Sequence, residues 1–440
     1  MAVVIAAVRV RERARGVFLG WWIVAAASGI QMLQTVLLMQ GYGAYAAVLR
    51  DEFGWSKTAL SGAASLQRVE SGLLGPPQGW LLQRFGARTI MRIGLVILAG
   101  GFFFFSQINS LAMFYVAFLT MAVGASLSGF MSVTTVVVQW FERRRATAMA
   151  LMQTGMSVGG ILVPLVAWSL VELGWRTTAI ISGVIVLALG LPLVQMMRDE
   201  PEAHGLLPDG ERPIERMDGV PVAPAIERVN FTPRQALRTR AFWFIGFGHA
   251  LAVLVVSSMM VHLVVYLKED QGFSVTGAAV IISIMTAVTM AGQIIGGILG
   301  DRFEKRMIAA IAMFGHSAGL FALAWGTGLF WVLVFAVVHG TAWGLRGPLM
   351  QAIRADYFGR KSFGVIMGFS SLIIMLGNVA GPLVAGITAD ATGSYRTGFT
   401  IMATLAALGS IFFIFSTKPT LPRLASEPLP DQALTESPAS

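Results

Sequence analysis

The sequence predicts an all-α membrane protein with twelve transmembrane helices arranged as two pseudo-symmetric six-helix bundles. Of its 440 residues, 55% are hydrophobic and only 12% are charged, whereas soluble domains carry roughly 25% charged residues. The chain divides into twelve mostly apolar segments, and a membrane-spanning helix needs about 20 such residues. The second half of the chain also repeats motifs of the first half, which predicts the two-bundle arrangement.

The predicted segments lie at residues 17–47, 57–82, 88–107, 110–139, 145–171, 176–197, 241–267, 275–299, 307–327, 329–353, 362–388 and 396–416. Basic residues collect in the connections on one side: Arg9, Arg11, Arg13, Arg15, Arg84, Arg88, Arg92, Arg143, Arg144, Arg145, Arg302, Lys305, Arg306, Arg360 and Lys361. The other side offers only Arg50, Lys57, Arg176, Lys268 and Arg396. Cytoplasmic loops collect Lys and Arg, so we expect both termini in the cytoplasm. We also expect the protein to lie in a bacterial inner membrane.

The segments and connections predict five regions. Residues 1–16 form a cytoplasmic arm, since the apolar stretch precedes the positive charges, the reverse of a signal peptide. Residues 17–197 form the first bundle and residues 240–418 the second. Residues 198–239, rich in Pro and mixed charge, form a cytoplasmic linker. Residues 419–440, rich in Pro, Ser and Glu, form a disordered cytoplasmic tail.

The internal repeat has a constant offset of 218 residues. FGWS at 53–56 corresponds to QGFS at 271–274, and GWLLQRFGAR at 79–88 corresponds to GILGDRFEKR at 297–306. Two parallel six-helix repeats, related by an axis along the membrane normal, are typical of secondary transporters. The repeat therefore predicts a substrate site between the two bundles.

Several other classes of function are disfavoured by what the sequence lacks. There is no cysteine, which excludes disulfides and thiolate metal sites, and we see no metal constellation. No GxxxxGK[ST] stretch is present, which argues against ATP-driven transport. No nucleophile–base pair is visible, so we predict no enzyme and no cofactor. The net charge of +9 is explained by the basic loops rather than by nucleic-acid binding.

Two loop motifs identify a family. GILGDRFEKR resembles the signature G-x-x-x-D-R-x-G-x-R/K of the major facilitator superfamily, with Glu304 in place of the usual glycine. GWLLQRFGAR resembles the same motif in the first half, with Gln83 in place of the acid. The resemblance implies the major facilitator fold and a gating motif made of Gly79, Arg84, Gly86, Arg88, Gly297, Asp301 and Arg302. In this family the acid is thought to hold the outward-facing state at a helix N-terminus, where negative charge is favoured. Since Gln83 is uncharged, we expect the first-half latch to be weaker.

Within the superfamily, four stretches resemble the monocarboxylate-porter branch, which includes oxalate/formate-type exchangers. They are GWWIV (20–24), EFGWSKTALS (52–61), WFERRRATAMALMQTGMSVGG (140–160) and HLVVYL (262–267). That branch carries an Asp and an Arg one turn apart on its eighth helix, but this sequence has Thr289 and Gln293 there. The usual anion-binding cation is therefore missing from its expected position.

Arg346, in the tenth segment, is the candidate that replaces it. An arginine at the centre of a membrane helix costs ~2.5–3.5 kcal/mol on insertion scales. His339, Trp343 and Arg346 step by four and three residues and so share one helix face. The 218-residue offset maps Arg346 onto Ser128, inside a polar stripe of the fourth segment. A guanidinium binds a carboxylate bidentately. The alternative is a structural arginine bonded to carbonyls or to another helix.

The remaining candidates divide between substrate and proton. Arg68 could be a second cation for a dicarboxylate, and Gln31, Thr35, Ser128 and Gln293 could supply neutral hydrogen bonds. Histidine titrates near neutral pH, which makes His262 and His339 candidates for substrate contact and His339 one for proton coupling. Glu70 is the second proton-coupling candidate. It is two residues from Arg68, too close in sequence for the two to face each other on a helix, and structural pairing between helices is an equal alternative for both.

These observations together predict a secondary active transporter that moves a small organic anion, a mono- or dicarboxylate, by alternating access. The mechanism is proton symport or anion exchange. The expected partners are the anion, protons and the lipid bilayer, with no nucleic acid, and we expect a monomer. Two alternatives remain open: an exporter of hydrophobic or cationic compounds that uses Glu70, and a transporter-like sensor that binds a solute without moving it.

Overall fold

The computed structural model describes residues 17–211 and 230–420. The predicted N-terminal arm (1–16), the middle of the predicted linker (212–229) and the tail beyond residue 420 lie outside the described residues. The described ends of the linker carry short 3₁₀ turns at Glu202–His204 and Pro208–Gly210 and one short α-helix at Pro233–Leu237.

Twelve long helices account for most of the described chain. They are α1 (Leu19–Phe53), α2 (Lys57–Phe85), α3 (Ala87–Phe105), α4 (Leu111–Trp140), α5 (Arg145–Leu173), α6 (Trp175–Met196), α7 (Arg240–Glu269), α8 (Val275–Arg302), α9 (Lys305–Trp325), α10 (Leu329–Phe358), α11 (Phe363–Thr392) and α12 (Arg396–Phe415). Eleven of them are long and apolar enough to cross a membrane. Among the described helices α2 is the exception, because it carries Gln67, Arg68 and Glu70. The twelve predicted helices are confirmed.

Side-chain caps begin several of these helices. Ser56, Ser110, Thr239 and Ser274 each accept a hydrogen bond from the backbone N–H three residues later, at 3.0–3.3 Å. Such caps stabilise a helix by typically ~1 kcal/mol each. Other helices are locally irregular: α1 contains a π-helical turn at Thr35–Met39, and α4 is interrupted at Gly129. Both irregularities lie next to polar residues that the sequence analysis selected.

The buried apolar residues form two clusters, one contributed mainly by α1–α6 and the other mainly by α7–α12. The two-bundle architecture is therefore confirmed. We retain residues 17–197 and 240–418 as the proposed limits of the bundles.

The two bundles meet along two helix pairs, α2 with α11 and α5 with α8. Glycines permit the close approach on α2: a Cβ atom on Gly75 would lie 2.7 Å from the carbonyl oxygen of Gly368, and a Cβ on Gly79 would overlap the backbone of Gly364. On α8, a Cβ on Gly297 would lie 2.6 Å from the Cβ of Ala150. Small residues at helix interfaces of this kind let backbones pack tightly in membranes.

All of these glycines lie toward one end of the molecule, where the turns α2–α3, α4–α5, α8–α9 and α10–α11 are located. We call it the Arg-rich end, because most of the loop arginines predicted to be cytoplasmic are found here. The close helix contacts close the space between the bundles at this end.

Candidate functional site

Arg346 lies inside α10 with only 2% of its surface exposed. Its Nε and Nη1 atoms are buried and have no hydrogen-bond partner among the described residues. Burying an ionised group without a partner is costly, so a site that keeps one is a candidate for binding an anion. The prediction that Arg346 contacts substrate is consistent with these free donors.

A second buried arginine on the same helix is fully bonded. Arg354 is 1% exposed, and its guanidinium donates to the Met350 carbonyl (2.8 Å) and to Ser370 Oγ (3.2 Å), while Nη2 lies 3.3 Å from His249 Nδ1. The sequence analysis did not select Arg354, because the tenth segment was predicted to end at residue 353. Its bonds give Arg354 a structural role, so Arg346 is the arginine of α10 with donors to spare.

Residues next to Arg346 along α10 contact two other helices. The backbone of Gly344 packs against Thr289 and Gln293 of α8, and Gln153 Oε1 of α5 lies 2.9 Å from where a Cβ on Gly347 would be. Gln153 Nε2 is buried without a partner, and Gln293 Oε1 accepts a hydrogen bond from Ser157 Oγ at 3.4 Å. α5 and α8 belong to different bundles, so this part of α10 lies against both. Gln153 was not selected from the sequence, since nothing in its local pattern marks it.

His339 contacts another histidine, which the sequence analysis did not select. His339 and His316 of α9 are both 0% exposed, and their Nδ1 atoms lie 3.1 Å apart. Phe335 also stacks on the ring of His339, with ring centroids 4.9 Å apart. The structure therefore places His339 against α9, in the interior of the second bundle. Direct contact of His339 with substrate stays a prediction that this packing does not favour.

The polar residues predicted in the first bundle partly satisfy one another. Ser128 Oγ accepts a hydrogen bond from Gln34 Nε2 at 2.8 Å and donates to the Gly124 carbonyl at 2.7 Å. Gln31 is 3% exposed and Thr35 is 2% exposed, and the Thr35 Oγ1 is buried without a described partner. Thr35 begins the π-helical turn of α1. Of this group, Thr35 retains a free polar atom.

Arg68 and Glu70 of α2 do not pair with each other, as their spacing predicts. Glu70 Oε2 accepts a hydrogen bond from Ser126 Oγ at 3.1 Å, and Glu70 Oε1 is buried without a described partner. Arg68 is half-buried and forms no ion pair with a described residue. Both therefore keep unused polar capacity.

His262 is engaged on both ring nitrogens. Its Nδ1 lies 3.1 Å from the Tyr395 hydroxyl and its Nε2 lies 3.0 Å from the Pro382 carbonyl oxygen. These contacts link α7 to α11 and to the start of α12, away from the Arg-rich end. His262 has no free nitrogen left for substrate in this state, and its substrate contact stays a prediction.

The acid of the gating motif bridges the two bundles. Asp301, at the end of α8, accepts hydrogen bonds from the backbone N–H groups of Ala146 (2.8 Å) and Thr147 (3.0 Å) at the start of α5. The N-terminus of a helix carries a partial positive charge that favours an anion there. This is the contact that the family resemblance implied for Asp301.

In the first half, Gln83 is exposed, and a different acid is used. Asp199, after α6, accepts a hydrogen bond from the Arg88 backbone N–H at 3.1 Å and packs beside Gly86. Asp199 and Arg88 belong to the same bundle, so this contact does not latch the two bundles together. The other motif arginines, Arg84 and Arg302, are exposed.

The substitution of glycine by Glu304 has a backbone explanation. Gly86 has φ +78°, a left-handed conformation that favours glycine, whereas Glu304 has φ −62°. The second motif loop therefore follows a different path, which any residue can adopt.

Further polar contacts join the bundles at the Arg-rich end. Asp356 of α10 forms ion pairs with Arg145 of α5 and with Lys305, the latter at 2.8 Å. Gln139 Nε2 donates to the Arg360 carbonyl at 3.0 Å, and Arg360 Nη1 donates to the Gln139 carbonyl at 3.1 Å. A cavity of about 590 Å³ at this end is lined by both members of the first pair; it does not include Arg346. It belongs to the closed gate and not to the predicted substrate site.

Comparison with known proteins identifies the class. The sequence matches the Major Facilitator Superfamily over residues 17–345 and again over residues 257–438. The chain therefore belongs to the Major Facilitator Superfamily, a family of membrane transporters rather than enzymes.

Individual relatives have low sequence identity to this chain but align with most of its length. The chain is 26% identical to monocarboxylate transporter 11 of Homo sapiens over 420 residues, which cover 90% of this chain and 82% of that protein. It is 25% identical to the membrane sensor protein UhpC of Salmonella typhimurium over 331 residues, 71% of this chain and 73% of the relative. The crystal structure of the human organic anion transporter MFSD10 (TETRAN) superposes with a TM-score of 0.65 at 16% identity, covering 90% of this chain and 98% of that chain. The protein is thus an integral membrane transporter with a small-molecule substrate.

Proposed function

We propose that the protein transports a small organic anion with one or two carboxylates, and that Arg346 binds a carboxylate group. The observation that carries the proposal is the buried guanidinium of Arg346, whose Nε and Nη1 donors have no described partner. A carboxylate supplies both the negative charge and the acceptors that this group lacks. Monocarboxylate transporters among the relatives support the same substrate class.

The polar residues that contact α10 on either side of Arg346 are neutral, which suits a carboxylate better than a cation. Gln153 Nε2 is a free donor next to Gly347, and Thr289 and Gln293 replace the charged pair of the monocarboxylate-porter branch with neutral groups. A single cation with neutral neighbours favours a monocarboxylate. Arg68, on the other bundle, would be the second cation for a dicarboxylate.

Alternating access would proceed by rocking of the two bundles around this site. The Arg-rich end is closed by Asp301 and by the glycine contacts of α2 with α11. If this end is cytoplasmic, as the basic loops predict, the structure is outward-facing. We place both termini in the cytoplasm, the protein in a bacterial inner membrane, and the functional unit as a monomer.

A thermal-shift panel on detergent-purified protein tests the substrate class. The panel comprises acetate, lactate, butyrate, oxalate, succinate and adipate, with neutral amides and organic cations as comparisons. A ligand at 100 times its Kd stabilises a protein by ~2.7 kcal/mol. We expect at least one carboxylate to raise the Tm of the wild-type protein and to leave Arg346→Gln unchanged. Stabilisation by cations alone, or of both proteins by the same carboxylate, contradicts the proposal.

The same panel addresses the two alternatives. An exporter of cations would depend on the acid of α2, so Glu70→Gln would abolish the response and Arg346→Gln would not. A sensor remains a candidate because one relative is a membrane sensor protein. A sensor would bind the carboxylate in this assay yet accumulate none in vesicles.

A further inference from the structure

We infer that His316 and His339 together form the proton site of this transporter, so that one proton binds to this pair when the carboxylate binds to Arg346. The inference rests on the proposed function and narrows it from proton symport or anion exchange to proton symport. The two residues are 23 positions apart, on consecutive antiparallel helices that meet at a short turn.

The hydrogen bond between the two rings fixes how many protons the pair holds. Their Nδ1 atoms lie 3.1 Å apart, so one Nδ1 carries a hydrogen and the other accepts it. In a neutral pair, the donor ring has a bare Nε2 and the acceptor ring has a protonated Nε2. Both Nε2 atoms are buried without a described partner. The bare Nε2 is therefore a free acceptor for one additional proton, which gives the pair a charge of +1.

Arg346 is the charge that this proton would meet. It is seven residues after His339 on α10, roughly 10.5 Å along the helix, and it interacts electrostatically with both histidines. Two buried positive charges at this distance repel each other more strongly than they would in water. The extra proton is therefore disfavoured when the Arg346 site is empty.

No other charge in the surroundings can take the place of a bound anion. In the described helices that pack against the pair, α8 carries only Asp301 and Arg302, both at its far end, and Asp301 is bonded to the start of α5. α12 carries no Asp, Glu, Lys or Arg after Arg396, and α5 carries none after Arg145 within its first half. α7 contributes His249, which lies against Arg354. On α10, Asp356 is at the opposite end from His339 and pairs with Arg145 and Lys305.

A carboxylate on Arg346 removes this repulsion. Its negative charge neutralises the guanidinium, and the pair can then take a proton from solvent. Linkage makes the effect reciprocal, so a protonated pair also favours the carboxylate. The empty transporter and the transporter loaded with both carboxylate and proton then carry the same net charge at this site. States that hold only the proton or only the carboxylate differ from them by one charge, and this difference couples the transport of a monocarboxylate to that of a proton.

Calorimetry of carboxylate binding tests the inference. The panel carboxylate with the lowest Kd is titrated into wild-type protein in two buffers of different ionisation enthalpy, which gives the number of protons taken up. We expect about one proton per anion and an affinity that falls about tenfold per pH unit once the loaded pair loses its proton. We expect His316→Gln and His339→Gln to take up fewer than about 0.3 protons while still binding the anion. His204→Gln, a histidine in an exposed loop, is the control and should keep the wild-type value.

The outcomes are distinguishable. Binding without proton uptake in the wild type overturns the proton site and leaves the carboxylate site intact, as does undiminished uptake in both variants. Should the glutamine variants fail to fold, His316→Asn and His339→Asn take their place, and the wild-type proton count decides without them. If no carboxylate binds the wild type, the proposed function itself is wrong and this inference falls with it.

Discussion

At the residue scale, the two buried arginines of α10 differ in their hydrogen bonding. The guanidinium of Arg354 is hydrogen-bonded to Met350, Ser370 and His249, whereas Arg346 has two nitrogen atoms without a described partner. Sequence spacing predicted that Arg346 shares a helix face with His339 and Trp343 but could not show that its donors are free. Whether a buried charge is bonded depends on neighbours from other helices, which a single sequence does not reveal.

This contrast predicts opposite effects on the stability of the ligand-free protein. Arg354→Gln should lower the free energy of unfolding by about 1–3 kcal/mol, because it leaves buried groups such as His249 unpaired. Arg346→Gln should leave it unchanged or raise it, because it removes an unpaired buried charge. Thermal unfolding of both variants in detergent, without ligand, measures the difference. An equal loss of stability in both would contradict the assignment of free donors to Arg346.

The contact between His316 and His339 could have been predicted from the sequence. His316 precedes the α9–α10 turn around Thr327 by about as many residues as His339 follows it. Antiparallel helices joined by a short turn bring residues at equal distances from that turn to the same depth. The sequence analysis considered His339 without His316 and therefore missed this symmetry.

At the scale of elements, the gate depends on one helix N-terminus. Asp301 of α8 accepts two backbone hydrogen bonds from the start of α5, in the other bundle. Asp199 makes a comparable contact with the start of α3, within its own bundle. The two acids therefore differ in whether they hold the bundles together.

This difference predicts that Asp301→Asn loosens the Arg-rich end and Asp199→Asn does not. Thr135→Cys is a suitable reporter, since the chain has no native cysteine and Thr135 is half-buried beside Gly364 of α11. A carboxylate at a helix N-terminus is worth typically 0.3–1 kcal/mol, so the rate of maleimide alkylation should rise roughly two- to fivefold in Asp301→Asn. Equal rates in Asp301→Asn and in the reporter alone would show that the acid does not hold the gate.

Most elements were predictable from the sequence, because a membrane helix requires a long apolar run and a charged turn. The structure confirms twelve helices, and the start of α8 at residue 275 agrees with the prediction. α1 continues to Phe53, whereas the first segment was predicted to end at residue 47. The mean hydropathy falls beyond residue 47 because the last turns carry Arg50, Asp51 and Glu52, although the backbone remains helical.

On the scale of the whole molecule, the 218-residue repeat predicted two bundles, and the two apolar clusters confirm them. The repeat did not predict which end would be closed. That property depends on contacts between bundles, among them the ion pairs of Asp356 and the backbone approach of Gly75 to Gly368. It also did not predict the substrate, because the charged pair that marks the monocarboxylate-porter branch is replaced here by Thr289 and Gln293.

The central claim is that Arg346 binds a carboxylate that the protein then moves across the membrane. The most direct test is uptake into proteoliposomes, with the outside more acidic than the inside. The substrate is the radiolabelled panel carboxylate with the lowest Kd. We expect accumulation by the wild-type protein and none above empty liposomes by Arg346→Gln, with Arg354→Lys as the variant that keeps a buried cation at the neighbouring site. Accumulation by Arg346→Gln at the wild-type rate would contradict the account, and so would a wild-type protein that binds the carboxylate but never accumulates it.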